Sequence, residues 1–244
     1  MNIVVLQPSY LPWLGHIDQY CWADRFVLYD DVQYDKHGWR NRNRILTANG
    51  IQWITVPVKV KGQDLPLIKD VEIDEVTGWR KKQLESIRQA YSKAPYFDFL
   101  FPELEASLGL SHKFLLDLDI DGLQRIARLL GQPWKGVLSS EMGIPGRKTE
   151  RLVGICRALN ATDYLTGDAA KEYLDESQFE SVGVRVHWHG YTHPVYRHRG
   201  KAFVPHLSVI DLMFWHGLES ASILRRSFHG ESSPFVDAAA QLAH

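Results

Sequence analysis

The first residues that could do chemistry are a glycine and a histidine in the segment Trp13-Leu14-Gly15-His16. The segment follows a short apolar run at residues 3–6, which predicts a buried strand. Ligands of open parallel sheets bind beyond the carboxyl ends of the strands. A backbone N–H and an imidazole at a helix start can hold a phosphate there. We therefore predict a phosphate site that includes Gly15 and His16; the alternative is that Trp13 packs and His16 caps a helix.

Three arginines alternate with asparagines in the segment Lys36-His37-Gly38-Trp39-Arg40-Asn41-Arg42-Asn43-Arg44. On an extended segment the arginines would share one face, and like charges so close need an anionic partner. The guanidinium fork binds phosphate or carboxylate in pairs. We predict that at least one arginine contacts a ligand. The internal alternative is neutralisation by the nearby acids Asp30, Asp31 and Asp35.

A third cationic group stands in Arg147-Lys148-Thr149-Glu150-Arg151, after a Pro/Gly break at residues 143–146. Thr149 is a candidate N-cap, and cations just before a helix N-terminus favour an anion. An ordinary capped surface helix explains the same pattern. At the loop-to-helix junction Gly167-Asp168, an N-cap role for Asp168 is the simpler explanation, and Gly167 remains a candidate ligand contact.

Six histidines fall within 30 residues, namely His187, His189, His193, His198, His206 and His216. His187 and His189 would share a strand face and could chelate a metal. No carboxylate lies at a convincing spacing, so we predict no metal site. Imidazole titrates near neutral pH, which makes a single general base the better hypothesis. We select His193, because the adjacent Pro194 fixes its loop.

Composition excludes several classes of protein. The chain has 244 residues, with 28 Lys+Arg against 29 Asp+Glu and 45% hydrophobic residues, which predicts a folded protein and no nucleic-acid partner. No apolar run is long enough to span a membrane, and the first residues lack a signal-peptide pattern. The two cysteines, Cys21 and Cys156, lie on apolar helix faces and suit a reducing cytoplasm. The sequence has no GxSxG elbow, Walker loop or CxxC pair.

Strands and helices must alternate to position these groups. Apolar spacing predicts strands at residues 1–7, 25–32, 52–60, 71–73, 164–166 and 182–188. It predicts helices at residues 16–23, 79–91, 102–110, 123–130, 149–159, 169–174 and 208–216. The order favours an α/β fold: a single Rossmann-like domain at 1–230, with a mostly parallel sheet flanked by helices. A helical insertion is expected at about 79–131 and a loose tail at 231–244.

Several short segments together resemble the WbqC-like family over residues 1–217. They are Leu6-Gln7-Pro8-Ser9-Tyr10-Leu11-Pro12-Trp13-Leu14-Gly15-His16, Asp31-Val32-Gln33-Tyr34, Trp39-Arg40-Asn41-Arg42-Asn43, Trp53-Ile54-Thr55-Val56-Pro57-Val58, Tyr164-Leu165-Thr166-Gly167, Phe203-Val204-Pro205 and Ser208-Val209-Ile210-Asp211-Leu212. The Gly15-His16 pair also resembles the HxGH motif of HIGH-type (HUP-type) nucleotide-binding folds, although Trp13 replaces the first histidine. The family resemblance implies bacterial surface-polysaccharide or related specialised biosynthesis.

The leading hypothesis is a cytoplasmic group-transfer enzyme that forms an amide on a nucleotide-linked amino sugar or a similar small molecule. The expected catalytic residues are His16, His193 and Arg42. The expected substrate and phosphate contacts are Gln7, Tyr10, Trp13, Gly15, Lys36, Trp39, Arg40, Asn41, Arg44, Lys148, Thr149, Arg151 and Gly167. The candidate cofactors are a nucleotide triphosphate with Mg²⁺ or an acyl thioester, and the acyl group could arrive on a carrier. The alternatives are a nucleotidylyltransferase or adenylate-forming ligase, and a non-catalytic ligand-binding protein.

Overall fold

A computed structural model describes residues 1–60, 65–199 and 202–225 of the chain. The tail expected at residues 231–244 lies outside the described residues. Within them, no helix is long and apolar enough to cross a membrane.

Five parallel strands form the main sheet, in the spatial order β5-β2-β1-β6-β7. Their bounds are β1 Asn2–Leu6, β2 Arg25–Leu28, β5 Gly136–Leu138, β6 Asp163–Thr166 and β7 Arg185–Trp188. The chain runs outward from β1 in one direction and then returns to lie on its other side as β6. This reversal places a topological switch point between β1 and β6, as in doubly wound nucleotide-binding folds.

Eight α-helices are present in the described part of the chain. They are α1 Leu14–Trp22, α2 Trp79–Tyr91, α3 Phe97–Gly109, α4 Leu115–Leu129, α5 Lys148–Ala158, α6 Glu176–Glu180, α7 Val209–His216 and α8 Ser220–Arg225. Helices α2 to α4 form the expected helical insertion, between the hairpin described below and β5. The predicted mostly parallel sheet flanked by helices is therefore confirmed.

The two faces of the sheet bury separate apolar clusters, because side chains alternate along each strand. Val4 and Leu165 pack on the face that carries α1, α7 and the insertion. Ile3 and Tyr164 point to the opposite face, where they pack against α5 and α6. Helices on both faces explain why β1, β2 and β5 are mostly apolar.

A two-stranded antiparallel hairpin stands apart from the main sheet. It consists of β3 Arg42–Thr47 and β4 Gly50–Thr55, with Arg44 opposite Trp53. One face is buried through Ile45 and Ile54, and the other carries the Arg and Trp side chains. The strand predicted at residues 52–60 is observed as β4, which is shorter and begins at Gly50. Its partner β3 was not predicted by the apolar pattern.

Several predicted bounds are wrong for identifiable reasons. The strand at residues 25–32 ends at Leu28, because Asp30 turns away to accept hydrogen bonds from Ser139 and Ser140. Residues 71–73 make isolated bridges and no strand. Helix α3 begins at Phe97 and continues through Pro102, which costs the helix one backbone hydrogen bond.

Candidate functional site

A cleft of about 570 Å³ lies at the carboxyl edge of the sheet, at the switch point between β1 and β6. We call it the switch-point cleft. Residues from both strands, from the loop before β3 and from the start of α5 line it. They are Val5, Leu6, Gln7, Tyr29, Val32, Arg40, Lys148, Leu152, Tyr164, Thr166, Gly167, Ala169, Ala170 and Tyr173. Four of the predicted contacts meet there: Gln7, Arg40, Lys148 and Gly167.

Arg40 supplies a cationic group that no neighbouring carboxylate neutralises directly. Among the described residues its partly buried side chain has no ion-pair partner, and its enclosed Nε has no hydrogen-bond partner. Its backbone carbonyl accepts the N–H of Tyr10, which fixes the loop. Burial lowers the pKa of the guanidinium and the field of Asp119 opposes that shift, but arginine stays protonated at neutral pH. The arrangement suits a bound anion.

Lys148 brings a second positive charge to the switch-point cleft from the first position of α5. The residue before it, Arg147, is the N-cap and gives no side-chain hydrogen bond to the helix. The positive end of the helix dipole therefore adds to the charge of Lys148. Lys148 has a φ of +48°, a left-handed conformation that is costly for a side-chain-bearing residue.

Arg42 and Arg44 bind other parts of the protein. Arg42 donates to the carbonyls of His37 and Gly38, and its guanidinium lies 4.8 Å from the ring centre of Trp53. Arg44 donates to the carbonyl of His206 and lies 5.3 Å from the ring centre of Trp39. The predicted common face is correct for these two residues, but Arg40 precedes the strand and lines the cleft. The catalytic role predicted for Arg42 has no support in this geometry.

The asparagines between the arginines hold neighbouring segments. The Asn41 side-chain amide donates to the carbonyl of Val56, and that of Asn43 donates to the carbonyl of Leu11. Both side chains are buried. Asn41 therefore joins the hairpin to the chain beyond it, and the predicted ligand contact at Asn41 is replaced by a structural one.

Gly15 and His16 are the second and third residues of α1, and both are buried in its first turn. A Cβ at Gly15 would lie 2.1 Å from the Trp13 ring, so the glycine makes room for the indole. The His16 ring is buried against Phe26, 5.2 Å away between centres. Burial, followed by the charge of Arg40, lowers the pKa of His16 to about 3. The His16 ring packs against the apolar core, so this geometry gives no support to its predicted catalytic role or to the resemblance to a HIGH-type loop.

Four further predicted contacts lie outside the switch-point cleft. Trp13 packs edge-on against Tyr191, with ring centres 4.9 Å apart. The Tyr10 hydroxyl is buried and donates to the side-chain oxygen of Gln83 at 2.6 Å. Lys36 is exposed outside the set of cleft residues, and Trp39 contacts Trp53. None of them lines the switch-point cleft.

The remaining positions of the α5 segment are structural. Thr149 is not the N-cap; its hydroxyl accepts the N–H of Asp175 at 3.2 Å. Arg151 forms an ion pair with Asp31 and lies over the ring of Tyr29. Asp31 thus neutralises this arginine and none of the Arg40–Arg44 group. Asp168 is likewise no N-cap, since Gly167 takes that place.

His193 uses both ring nitrogens in its own loop. Nδ1 contacts the carbonyl of Pro194 at 3.0 Å, and Nε2 accepts the N–H of His206 at 3.1 Å. Burial lowers its pKa, and it lies outside the lining of the switch-point cleft. Because both ring nitrogens are engaged in its own loop, this geometry gives no support to the prediction that His193 is the general base.

The paired histidines at the end of β7 each meet a carboxylate that is distant in sequence. His187 contacts Asp163 at 2.8 Å, and His189 contacts Asp18 at 2.7 Å. The sequence spacing did not reveal these two carboxylates, because they lie in α1 and β6, far from the histidines along the chain. Within the described ranges, no group of three or more His, Cys, Asp or Glu residues could hold a metal ion.

Three tyrosines of the switch-point cleft, Tyr29, Tyr164 and Tyr173, escaped the sequence analysis. Tyr29 directly follows β2, and Tyr164 lies within β6. Burial raises the pKa of Tyr29 and of Tyr164, so both hydroxyls stay protonated at neutral pH. The position of Tyr29 at the end of a strand was the available signal, but it becomes informative only when the strand order is known.

Comparison with known proteins agrees with the segments identified in the sequence. The WbqC-like protein family matches residues 7–223, which include every lining residue of the switch-point cleft from Gln7 onward. The chain belongs to this family. "Uncharacterized protein Rv1507c" of Mycobacterium tuberculosis (strain ATCC 25618 / H37Rv) is 37% identical over 233 residues, covering 92% of this chain and 97% of the relative. No solved structure matches the chain.

The cysteines of this WbqC-like protein do not contribute to the cleft. Cys156 is fully buried in α5, and burial raises the pKa of its thiol to about 12. A thiol with that pKa is a poor nucleophile at neutral pH. Cys21 is a partly buried residue of α1 that packs against the larger apolar cluster. The chemistry of the cleft therefore depends on Arg40, Lys148, its tyrosines and bound groups.

Proposed function

We propose that this WbqC-like protein is a group-transfer enzyme that holds a phosphorylated small molecule in the switch-point cleft. Arg40 and Lys148 bind the phosphates. The observation that carries the proposal is the Arg40 guanidinium, which lines the cleft and has no ion-pair partner among the described residues. A partly buried guanidinium without a counter-ion is costly, and a phosphate that accepts paired hydrogen bonds offsets that cost.

The dimensions and walls of the cleft favour a nucleotide or a nucleotide-linked sugar. A volume of about 570 Å³ falls within the range of small-molecule sites. The exposed ring of Tyr173 and the partly buried ring of Tyr29 provide flat surfaces for a base or a sugar ring. Gly167 leaves its side of the cleft open, because nothing lies within 4 Å of the position a Cβ would take.

The transferred group in this proposal is an acyl or aminoacyl group, which forms an amide with an amine of the nucleotide-linked sugar. The association of the family with surface-polysaccharide biosynthesis supports this chemistry. An acyl thioester would be the donor, and a carrier could deliver it. Arg40 and Lys148 would hold the sugar nucleotide so that its amine meets the acyl carbon, which accelerates the reaction through orientation.

Non-catalytic ligand binding is the second candidate function. The observation that favours it is the lining of the cleft, in which the described residues include no carboxylate and no imidazole. A nucleotidylyltransferase is less well supported, since the buried position of His16 removes the resemblance that suggested it.

Calorimetric titration with UDP tests the binding step. We expect the wild-type protein to bind UDP, and uridine to bind far more weakly because it lacks phosphates. Arg40→Gln should weaken UDP binding about 10-fold to 100-fold, as expected for loss of a charged hydrogen-bond donor. Arg185→Gln is the matched control, because Arg185 is 79% exposed at the start of β7, away from the carboxyl edge. Equal UDP affinity of Arg40→Gln and wild type would contradict the proposal.

Mass spectrometry separates the enzyme from the binding protein. Wild-type protein is incubated with UDP-linked amino sugars and a panel of acyl thioesters, and amide products are sought. The enzyme hypothesis expects product with wild type, and strongly reduced product with Arg40→Gln. UDP binding without any amide product across the panel would favour non-catalytic binding.

A further inference from the structure

A buried histidine–carboxylate pair connects α1 with the end of β7. His189 Nε2 lies 2.7 Å from Asp18 Oδ2, and the two side chains are only 3% and 4% exposed. Burying two ionisable groups is costly unless each has a partner. This pair has the arrangement in which a carboxylate orients an imidazole and stabilises it when it takes up a proton.

His189 stands at the carboxyl edge of the sheet, beside the switch-point cleft. Its backbone N–H donates to the carbonyl of Thr166, a lining residue, at 2.9 Å. The β6–β7 register pairs Thr166 with Trp188, so its continuation places His189 beside Gly167. The next N–H, that of Gly190, donates to Asp168 at 3.1 Å. The backbone of the cleft edge therefore fixes the position of this histidine.

The second ring nitrogen of His189 is available. In the described part of the chain, Nδ1 has no hydrogen-bond partner, whereas Nε2 is held by Asp18. His198 differs, because Nδ1 contacts the Arg199 carbonyl and Nε2 accepts the N–H of Val204. Of these two buried late histidines, His189 alone combines a carboxylate partner with an unused nitrogen.

An unpartnered polar group lies beside the pair. The hydroxyl of Tyr191 is enclosed and has no hydrogen-bond partner within the described ranges. Its ring centre is 5.1 Å from that of His189, and the charge of Asp18 acts on its hydroxyl. Buried hydroxyls are normally hydrogen-bonded, so an unsatisfied one on a ring that contacts His189 points to a missing polar group from a ligand.

Gly167 is the opening between the pair and the switch-point cleft. Parallel pairing places position 167 on the same sheet face as His189, and nothing lies within 4 Å of a Cβ built at Gly167. The glycine has a φ of −74°, which any residue can adopt, so its backbone does not require glycine. Its lack of a side chain instead leaves open space between the cleft that it lines and the strand position beside His189.

We propose that His189, oriented by Asp18, is the general base of the group transfer; this inference rests on the proposed function. Nδ1 takes a proton from the attacking amine as the new N–C bond forms at the acyl carbon. The bond from that carbon to the sulfur of the thioester donor breaks. The imidazolium then gives its proton to the departing thiolate, so that the products are the amide and the free thiol. Asp18 stabilises the intermediate positive charge.

Chemical modification of the folded protein tests this inference without a substrate. Diethyl pyrocarbonate acylates imidazole nitrogens that are unprotonated and accessible, and peptide mapping gives a rate for each histidine. We expect His189 to be modified at least several-fold faster than His198. The internal reference for an open ring is His187, which is 32% exposed. A rate for His189 equal to that of His198 would overturn the proposal.

A variant of Asp18 tests whether the His189–Asp18 pair has a catalytic or a merely structural role. Asp18→Asn should slow the modification of His189, because only the carboxylate keeps the ring proton on Nε2 and leaves Nδ1 unprotonated. If Asp18 served only to hold the ring in place, its loss would free the ring and speed the reaction, which would overturn the proposal.

Gly167→Val should slow the modification of His189, because the valine side chain fills the opening, and should leave the modification rate of His187 unchanged. An unchanged rate for His189 in this variant would also overturn the proposal. Circular dichroism verifies that each variant is folded, and the wild-type comparison requires no variant. A failure of phosphate binding would appear in the UDP titration and would leave these rates unaffected.

Discussion

Arg40, Arg42 and Arg44 are residues of one type within five positions, yet they meet different surroundings. Strand β3 begins at Arg42, so Arg42 and Arg44 share the outer face of the hairpin with Trp53. Arg40 lies before the strand, where its carbonyl is bound by Tyr10 and its side chain lines the switch-point cleft. Arg40 is available to a ligand because it lies two positions before the start of β3, whereas Arg42 and Arg44 lie within the strand.

The left-handed conformation of Lys148 makes a prediction about stability and binding. Lys148→Gly should raise the free energy of unfolding by about 0.5 to 1 kcal/mol, because glycine adopts a φ of +48° without strain. The same variant should weaken UDP binding, because a cation is lost from the cleft. Urea unfolding and calorimetry measure the two effects.

Asn160→Gly is the matched control for Lys148→Gly. Asn160 also has a left-handed conformation, with a φ of +52°, but lies beyond the end of α5, outside the cleft. It should show a similar or smaller gain in stability with unchanged UDP affinity. Loss of stability in Lys148→Gly would contradict the assignment of strain to this position.

Asp119 of α4 makes a prediction about pH dependence. Its side chain is buried, and neither carboxylate oxygen has a hydrogen-bond partner among the described residues. Burial raises its pKa well above the ordinary value, although Arg40 opposes this. A raised pKa in the folded state means that stability is fully present below the unfolded pKa, near 4, and is lost as the pH rises.

Urea unfolding of wild type and Asp119→Asn at pH 4, 5.5 and 7 tests whether Asp119 destabilises the folded protein as the pH rises. We expect the variant to gain stability relative to wild type as the pH rises, by about 1 kcal/mol or more across this range. The titrations of other groups cancel in the difference. A difference that stays constant, or shrinks with rising pH, would show that Asp119 does not resist ionisation in the folded protein.

At the scale of elements, α1 shows why a motif can mislead. The Gly15-His16 pair lies in the first turn of α1, as its position after the strand predicts, but both residues are buried there. The glycine is explained by packing, since the Trp13 ring covers its α-carbon. The chemistry of a motif depends on whether the backbone exposes its residues. Here the motif lies in the buried first turn of α1.

A double-mutant cycle tests this explanation of Gly15. Gly15→Ala should cost about 1 to 3 kcal/mol, because the Trp13 ring must move. In a Trp13→Ala background the same change should stabilise the protein by up to about 1 kcal/mol, as alanine is the better helix former. Unfolding free energies of the four proteins give the coupling. Equal effects of Gly15→Ala in both backgrounds would contradict packing as the reason for the glycine.

The elements were predictable to different extents. Helix α2 was predicted with its observed bounds, because its apolar residues follow a 3.6-residue period. Strand β3 was missed because it begins with alternating arginine and asparagine, and its buried Asn43 holds another segment by a hydrogen bond instead of apolar contact. The acids that pair with His187 and His189 were missed because folding joins them from β6 and α1.

At the scale of the whole molecule, the strand order determines where the site lies. Gln7, Arg40, Lys148 and Gly167 come from four distant parts of the sequence and meet only because β1 and β6 are neighbours. Sequence patterns identified these four residues as candidates, but they could not separate them from Arg42, Thr149 or Arg151. Distinguishing them requires the folded structure, because Arg42, Thr149 and Arg151 bind partners within the protein.

The most direct test of the central claim is a crystal structure of the wild-type protein with UDP bound. The account predicts diphosphate density in the switch-point cleft, with phosphate oxygens within hydrogen-bond distance, about 3 Å, of the Arg40 guanidinium and the Lys148 ammonium. Density for the diphosphate at any other place on the protein, with Arg40 and Lys148 uncontacted, would contradict it.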